Sequence, residues 1–247
     1  MDERIPIVII TTNRNPRKNY VFETLTNLKR GSVFDSKFFH SLTVYDDCSE
    51  PDYAEAIRLY AKYNLNVPIT VVRADEVGGS KGNAERAHRL LFSLRDDCKW
   101  GMVMEDDIDV CANFLQSAVK WLREVEHEHR HLYFMALPDA PKTSKKNLFE
   151  MEKLWGSQCY VVRTEDSVSI ANFLHNAGPK NNGHDTKLLR WLNETYSGEE
   201  YKPACCPVPT FIQHIGVDSS IQGVAKGITR EKAKPIFNFI GRDKSYA

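Results

Sequence analysis

The feature that most restricts this chain is an alternation. Between residues 5 and 129, short β-branched runs take turns with amphipathic stretches. "IPIVII" (5–10) reads as a buried strand and "NYVFETLTNLKR" (19–30) as a helix. The pattern repeats with a strand at 41–45, a helix at 52–63, a strand at 68–73, a helix at 81–95, a strand at 101–104 and a helix at 113–129. The second of these helices carries Tyr53, Ala56, Ile57, Tyr60 and Ala61 on one face, and the third an Ala84, Ala87, Leu91, Leu94 stripe. Strand and helix in strict succession imply right-handed crossovers and a mostly parallel sheet covered by helices on both faces.

After residue 130 the order changes. "HLYFMAL", "SQCYVV" and "TFIQHI" read as strands, with helices near 165–176 and 184–194 between them. The stretch 138–153 reads as a polar connection, and "PACCPVP" as a loop rich in proline and small buried residues. A chain of 247 residues fits one domain, with residues 1–110 as a nucleotide-binding half and 111–247 as a smaller, mixed half facing an acceptor.

Charge narrows the function classes. Lys plus Arg equals Asp plus Glu at 33 each, so no global field advertises a nucleic acid or a membrane. The first apolar run is too short for a signal sequence or a bilayer helix, so no membrane partner is expected. Six cysteines without a C-x-x-C pair then read as reduced thiols of a cytoplasmic protein.

The informative residues sit at strand ends. In an open parallel sheet, ligands bind at the carboxyl edge. Here the first strand ends in Thr11, Thr12 and Asn13, and the second in Asp46 and Asp47. The third leads through Arg73 and Asp75 into "GGSKGN" (78–83), which holds Lys81 and Asn83. The fourth, in "KWGMVMEDDIDV", ends in Glu105, Asp106 and Asp107. Taken singly, each has a structural reading: a solvated turn, or an aspartate (Asp107 or Asp109) capping the next helix. "GGSKGN" also lacks the spacing of a Walker motif. Together at one rim they suit a nucleoside diphosphate: glycines for close backbone approach, a lysine for phosphate, and carboxylates for a divalent ion such as Mn²⁺ or Mg²⁺.

This combination resembles the GT-A glycosyltransferases, whose fourth strand ends in a metal-binding D-x-D motif, with "EDD" in its place. A closer likeness is to the N-acetylglucosaminyltransferase IV family, carried by "YVFETLTNL", "VMEDDIDVCANFL", "GHDTKLLRWL" and above all "PTFIQHIGVDSSIQG". The resemblance implies a UDP-sugar donor, with Asp107 as main metal ligand, His214 completing the coordination and Glu105 near the sugar or ribose. It further implies Asp46 and Asp47 on uridine, Lys81 and Asn83 on the nucleotide, and Asp185 as the general base of an inverting transfer, with His184 as its neighbouring alternative.

The acceptor does not carry over, because those relatives are membrane-anchored and modify N-glycans. A compact GT-A chain also resembles phage-encoded enzymes that glucosylate hydroxymethylated bases in DNA, which points to a bacterial or phage-infected cell. Its basic tail offers Lys226, Arg230, Lys232, Lys234, Arg242 and Lys244 for phosphate contacts, interleaved with Phe237, Phe239 and Tyr246 for stacking. Double-stranded DNA carrying hydroxymethylated pyrimidines is thus the leading acceptor, and a surface glycan the alternative. A sugar-nucleotide pyrophosphorylase is disfavoured, since "TTNRNPRKN" has bases but no glycine. A non-catalytic binding module stays open unless Asp107, Asp185 and His214 converge.

Overall fold

The computed structural model describes residues 2–15, 18–128, 130–135, 148–151, 158–177, 184–216 and 239–246. Its first half is the expected alternation: β1 (Ile5–Thr11), α1 (Val21–Arg30), β2 (Phe39–Asp46), α2 (Pro51–Asn64), β3 (Thr70–Arg73), α3 (Gly79–Ser93), β4 (Trp100–Glu105), then β5 (Ile108–Val110) and α4 (Phe114–Val125). The second half adds β6 (Leu132–Phe134), β7 (Leu148–Met151), β8 (Cys159–Arg163), α5 (Ser167–Asn176), α6 (His184–Thr195), β9 (Ala204–Pro207) and β10 (Ile212–His214).

One sheet runs in the order β3-β2-β1-β4-β8-β6-β9-β7, with β3, β2, β1 and β4 parallel and β8 inserted antiparallel between β4 and β6. The chain builds outward from β1 to β3 and then returns to place β4 on the other side of β1. That reversal between β1 and β4 is the point where such sheets open a crevice. A second, two-stranded ribbon pairs β5 with β10.

Every residue of β1 is buried, and its side chains alternate between two cores. Ile5, Ile7 and Ile9 join Val21, Leu25 and Leu28 of α1 on one face. Val8 and Ile10 join Ala84, Ala87 and Leu91 of α3 on the other. The continuous apolar run is therefore that of a strand covered on both faces.

Three segments differ from the sequence expectation. The acidic run does not lead straight into a helix: β5 intervenes, and α4 starts only after Asn113, which adopts a left-handed φ of 49°. "PACCPVP" contains a central strand, β9, whose Cys205 and Cys206 point into opposite cores. The polar connection carries β7 at the sheet edge, with 136–147 and 152–157 outside the described residues. All six cysteines are free of disulfides. Among the described residues no helix is long and apolar enough to cross a membrane.

Candidate metal centre

The centre is assembled by strand pairing. β4 ends at Glu105, the chain turns through Asp106 and Asp107, and β5 departs. β5 runs antiparallel to β10 with Ile108 opposite His214, and the Ile215 N–H donates to the Asp107 carbonyl at 2.9 Å. Residues 107 and 214, far apart in sequence, thereby become neighbours: His214 Nε2 lies 3.1 Å from Asp107 Oδ2. One ligand atom each from Glu105, Asp107 and His214 falls within 4.8 Å of the others. A Cβ on Gly216 would stand 2.2 Å from Asp107 Oδ2, so the chain beside the carboxylate has room for glycine alone.

α1 holds the turn from beneath. Thr24 Oγ1 lies within donating reach of the carbonyls of Asp106 (2.8 Å) and Ile108 (3.1 Å), between which its one proton is shared, and it accepts the Ile108 N–H at 3.0 Å. Asn27, one turn along, donates to the Ile108 carbonyl at 3.2 Å. These buried side chains satisfy backbone groups that an irregular turn leaves without sheet partners.

The three carboxylates have different surroundings. Asp106 is 1% exposed and faces inward, accepting from Thr11 Oγ1 at 2.6 Å and Arg14 at 2.6 Å. Thr11 Oγ1 in turn lies 2.8 Å from the Tyr53 hydroxyl. Burial pushes the Asp106 carboxyl up to about 6, against the pull of Arg14. For Asp107, burial acts upward too. The hydrogen bond and charge of His214, together with Arg14 at 3.8 Å, outweigh it and hold the carboxyl below the usual range. Burial alone would lower the His214 pKa, but the Asp107 carboxylate raises it.

A divalent cation fits this donor set. Asp107 Oδ1 is buried and has no hydrogen-bond partner among the described residues, which is costly for a charged oxygen unless something supplies positive charge. Two carboxylates with one imidazole suit Mn²⁺ better than Mg²⁺, which prefers oxygen throughout.

The other residues singled out from sequence have definite positions. Asp46 is fully buried and accepts from the backbone N–H (3.1 Å) and hydroxyl of Ser49. Asp47 accepts the N–H groups of Gly78 (2.7 Å) and Gly79 (2.9 Å), so its carboxylate anchors the start of α3. Asn13 organises its own loop, with Oδ1 accepting from Asn15 N–H (3.0 Å) and Asn19 (2.9 Å). Lys81 donates to the Ala177 carbonyl at 2.9 Å. Asn83 is buried, its Oδ1 without a partner among the described residues. His184, 2% exposed, lies with Nδ1 2.6 Å from Ser80 Oγ. Asp185 follows it in the first turn of α6, its side chain outside the described residues.

Lys226, Arg230, Lys232, Lys234 and Phe237 also lie outside the described residues. The described part of the basic tail is tied to the fold mainly through its backbone and aromatic residues, while the Arg242 and Lys244 side chains are exposed. Arg242 pairs with Asp109, and Phe239 and Tyr246 pack against the core rather than standing free for stacking. Sequence reasoning overlooked Arg14 and the Thr24–Asn27 pair. The available signals were a base directly after the first strand and two polar residues at i, i+3 spacing on an otherwise apolar helix face.

No protein-family model matches the chain, and no curated protein matches it either. Solved structures do. The mannosyltransferase PcManGT from Pyrobaculum calidifontis, in complex with GDP-Man and Mn²⁺, superposes with a TM-score of 0.52 at 14% identity, over 83% of this chain and 57% of that one. The 4-diphosphocytidyl-2C-methyl-D-erythritol synthase from Anaerococcus prevotii superposes with a TM-score of 0.51 at 10% identity, over 83% of this chain and 87% of that one. At such identities the likeness is one of fold: a GT-A-like, Rossmann-type α/β sheet. This chain spans somewhat more than half the length of the mannosyltransferase.

Proposed function

We propose that the chain is a metal-dependent glycosyltransferase that moves a sugar from a UDP-sugar to an acceptor hydroxyl. The observation that carries this reading is the Glu105–Asp107–His214 cluster at the carboxyl end of β4, beside the switch point between β1 and β4. The fold shared with a mannosyltransferase that binds GDP-Man and Mn²⁺ supports it. The finer likeness to the N-acetylglucosaminyltransferase IV family rests on the sequence motifs alone.

Asp107 and His214 would hold the ion, with Glu105 facing the sugar or ribose. When bound, Mn²⁺ or Mg²⁺ supplies Lewis-acid stabilisation of charge on the departing diphosphate. Arg14 limits the negative charge of the acidic turn from the protein side through its pair with Asp106. Thr11, Asn13, Lys81 and Asn83 would serve the nucleotide side of the rim, where Thr11, Asn13 and Lys81 already hold partners within the fold and Thr11 and Asn83 are buried. Asp185 takes the proton of the attacking hydroxyl, a contribution of ~10²–10⁴-fold, and the transfer inverts configuration. The acceptor named from sequence is a 5-hydroxymethylated pyrimidine in DNA, with Lys226, Arg230, Lys232 and Lys234 for phosphate. Among the described tail residues Phe239 and Tyr246 pack against the core and Arg242 pairs with Asp109, which leaves the exposed Lys244 as the one basic side chain there with no ion pair among the described residues.

The test is UDP release with Mn²⁺ over a panel of UDP-sugars, with hydroxymethylcytosine-containing duplex, unmodified duplex and free glycans as acceptors. Turnover that disappears in Asp107→Ala and His214→Ala supports the transferase. Release only with modified DNA establishes that acceptor, and release with glycans replaces it. Pyrophosphate release from nucleoside triphosphate and sugar phosphate would instead favour a nucleotidyltransferase, the activity class suggested by the second structural neighbour's name. Turnover untouched in Asp107→Ala would sink the site assignment.

A further inference from the structure

The ribbon that brings His214 to Asp107 is short: three residues of β5 against three of β10. A pairing of that length has little stability of its own. Something else must hold it in register, and the C-terminal segment does so at both ends. At the entry to β10, Phe239 bridges Thr210, and the Ile240 N–H donates to the Thr210 carbonyl at 3.0 Å. At the exit of β5, the Ala112 N–H donates to the Lys244 carbonyl at 3.0 Å. Between these points Arg242 donates to Asp109, the central residue of β5. The Tyr246 ring closes the segment 5.4 Å from Phe211, the residue preceding β10.

Asp109 is the node. It is wholly buried, two residues beyond Asp107 and directly opposite Gln213, the neighbour of His214. Its carboxylate meets Arg30 at the end of α1 from one side and Arg242 from the other. Arg30 also donates to the Val110 carbonyl at 3.0 Å. A buried carboxylate held by two guanidinium groups from separate elements fixes the strand on which it sits. We propose that the segment Phe239–Tyr246 is a strap for the metal centre, with Arg242 and Asp109 as positioning residues that set the His214–Asp107 geometry and thereby metal affinity. This rests on the reading of Glu105, Asp107 and His214 as metal ligands.

Arg242→Ala is the useful perturbation. It releases the strap from β5 without leaving Asp109 unpaired, because Arg30 remains. Outer-shell partners of metal ligands are worth about 10–100-fold in affinity. Arg242 acts one step further out, so a loss of about 3–10-fold is expected. Mn²⁺ titration of the full chain, followed by the electron paramagnetic resonance of free Mn²⁺, reads it. Arg242→Lys should restore most of the affinity. Arg123→Ala, which breaks an exposed pair with Glu3 away from the ribbon, should leave it unchanged. Amide exchange at Ile215, whose N–H spans from β10 to Asp107, provides a readout without metal and should quicken several-fold in Arg242→Ala. Wild-type binding that is lost in Asp107→Ala but unaltered in Arg242→Ala overturns the strap. Absent Mn²⁺ binding by the wild type, or binding that survives Asp107→Ala, overturns the metal reading instead, and unaltered Ile215 exchange in that case rejects the strap as well.

Discussion

Gly216→Ala is the sharpest probe of the centre. The added methyl would stand 2.2 Å from Asp107 Oδ2, 2.8 Å from its Cγ and 3.0 Å from its Cβ. Carbon and oxygen sit in contact at about 3.3 Å even where a weak C–H···O bond draws them together. About 1 Å of movement is needed, and the side-chain carboxylate gives way more readily than the backbone that the Ile215 N–H ties to Asp107, whereas metal–ligand distances tolerate about 0.2 Å. Such a move also takes Oδ2 away from His214, which it now meets at 3.1 Å. The substitution thus displaces one proposed ligand and disturbs a second, and a loss of at least about 10–100-fold in Mn²⁺ affinity is expected, since perturbing an outer-shell partner alone does that much. Stability should fall as well, by roughly 1–3 kcal/mol, because the methyl overpacks a buried carboxylate and strains its contact with His214. The φ of Gly216 is outside the left-handed region, so the backbone itself accepts alanine, and the cost comes from the contact with Asp107. Mn²⁺ titration and thermal melting of both proteins check the pair of expectations. Binding in Gly216→Ala within twofold of wild type would refute the reasoning, because it would mean that the Gly216 backbone, and not the Asp107 carboxylate, gives way to the methyl.

Two further expectations concern the fold. The His88 ring is fully buried with Nε2 3.0 Å from the Tyr160 hydroxyl, and burial, helped by nearby His184, lowers its pKa to about 3. Below its ordinary value of about 6.5 the unfolded chain takes up a proton that the folded one refuses, so stability falls as pH drops from 6.5 towards 3, by roughly 1 kcal/mol per unit. Urea midpoints should decline less steeply between pH 7 and 5 in His88→Met than in wild type; parallel profiles would reject this. Cysteine labelling gives a second check. Burial raises the thiols of Cys98 and Cys111 to about 11 and of Cys206 to about 12, and raises Cys159 and Cys205 as well, while Cys48 alone is half-exposed. A thiol reagent should therefore modify one cysteine rapidly in the native protein, that reaction should vanish in Cys48→Ser, and rapid native modification of Cys205 or Cys206 would contradict the packing of β9.

The alternating half of the fold was legible because each of its elements advertises itself locally. The apolar run 5–10 and the helical stripe Ala84, Ala87, Leu91 owe their patterns to contacts within one βαβ unit. β5 and β9 were not legible for the opposite reason. Ile108–Val110 contains a charged residue, Asp109, that becomes acceptable in a buried strand only when Arg30 and Arg242 arrive from elsewhere. Pro203 and Pro207 around "ACC" speak for a loop, yet β9 tolerates them because Pro203 precedes the strand and Pro207 is its last residue, facing Leu148.

The site divides along the same line. Three successive carboxylates led to the expectation of a cation, the family resemblance added His214 to them, and the fold brings Glu105, Asp107 and His214 within 4.8 Å of one another. Sequence could not say that the three carboxylates would be handled separately. A strand-to-strand turn sends adjacent side chains in different directions, and so Asp106 turns inward to Arg14 while Asp107 turns to His214. The roles expected for Asp46 and Asp47 came from the family resemblance together with their place at a strand end, and that place equally marks a residue that braces the rim. Their carboxylates accept from Ser49 in one case and from the first amides of α3 in the other. Distinguishing a brace from a ligand contact requires knowing which N–H groups the neighbouring loop leaves unpaired. That is a property of the folded backbone, and no window of sequence contains it.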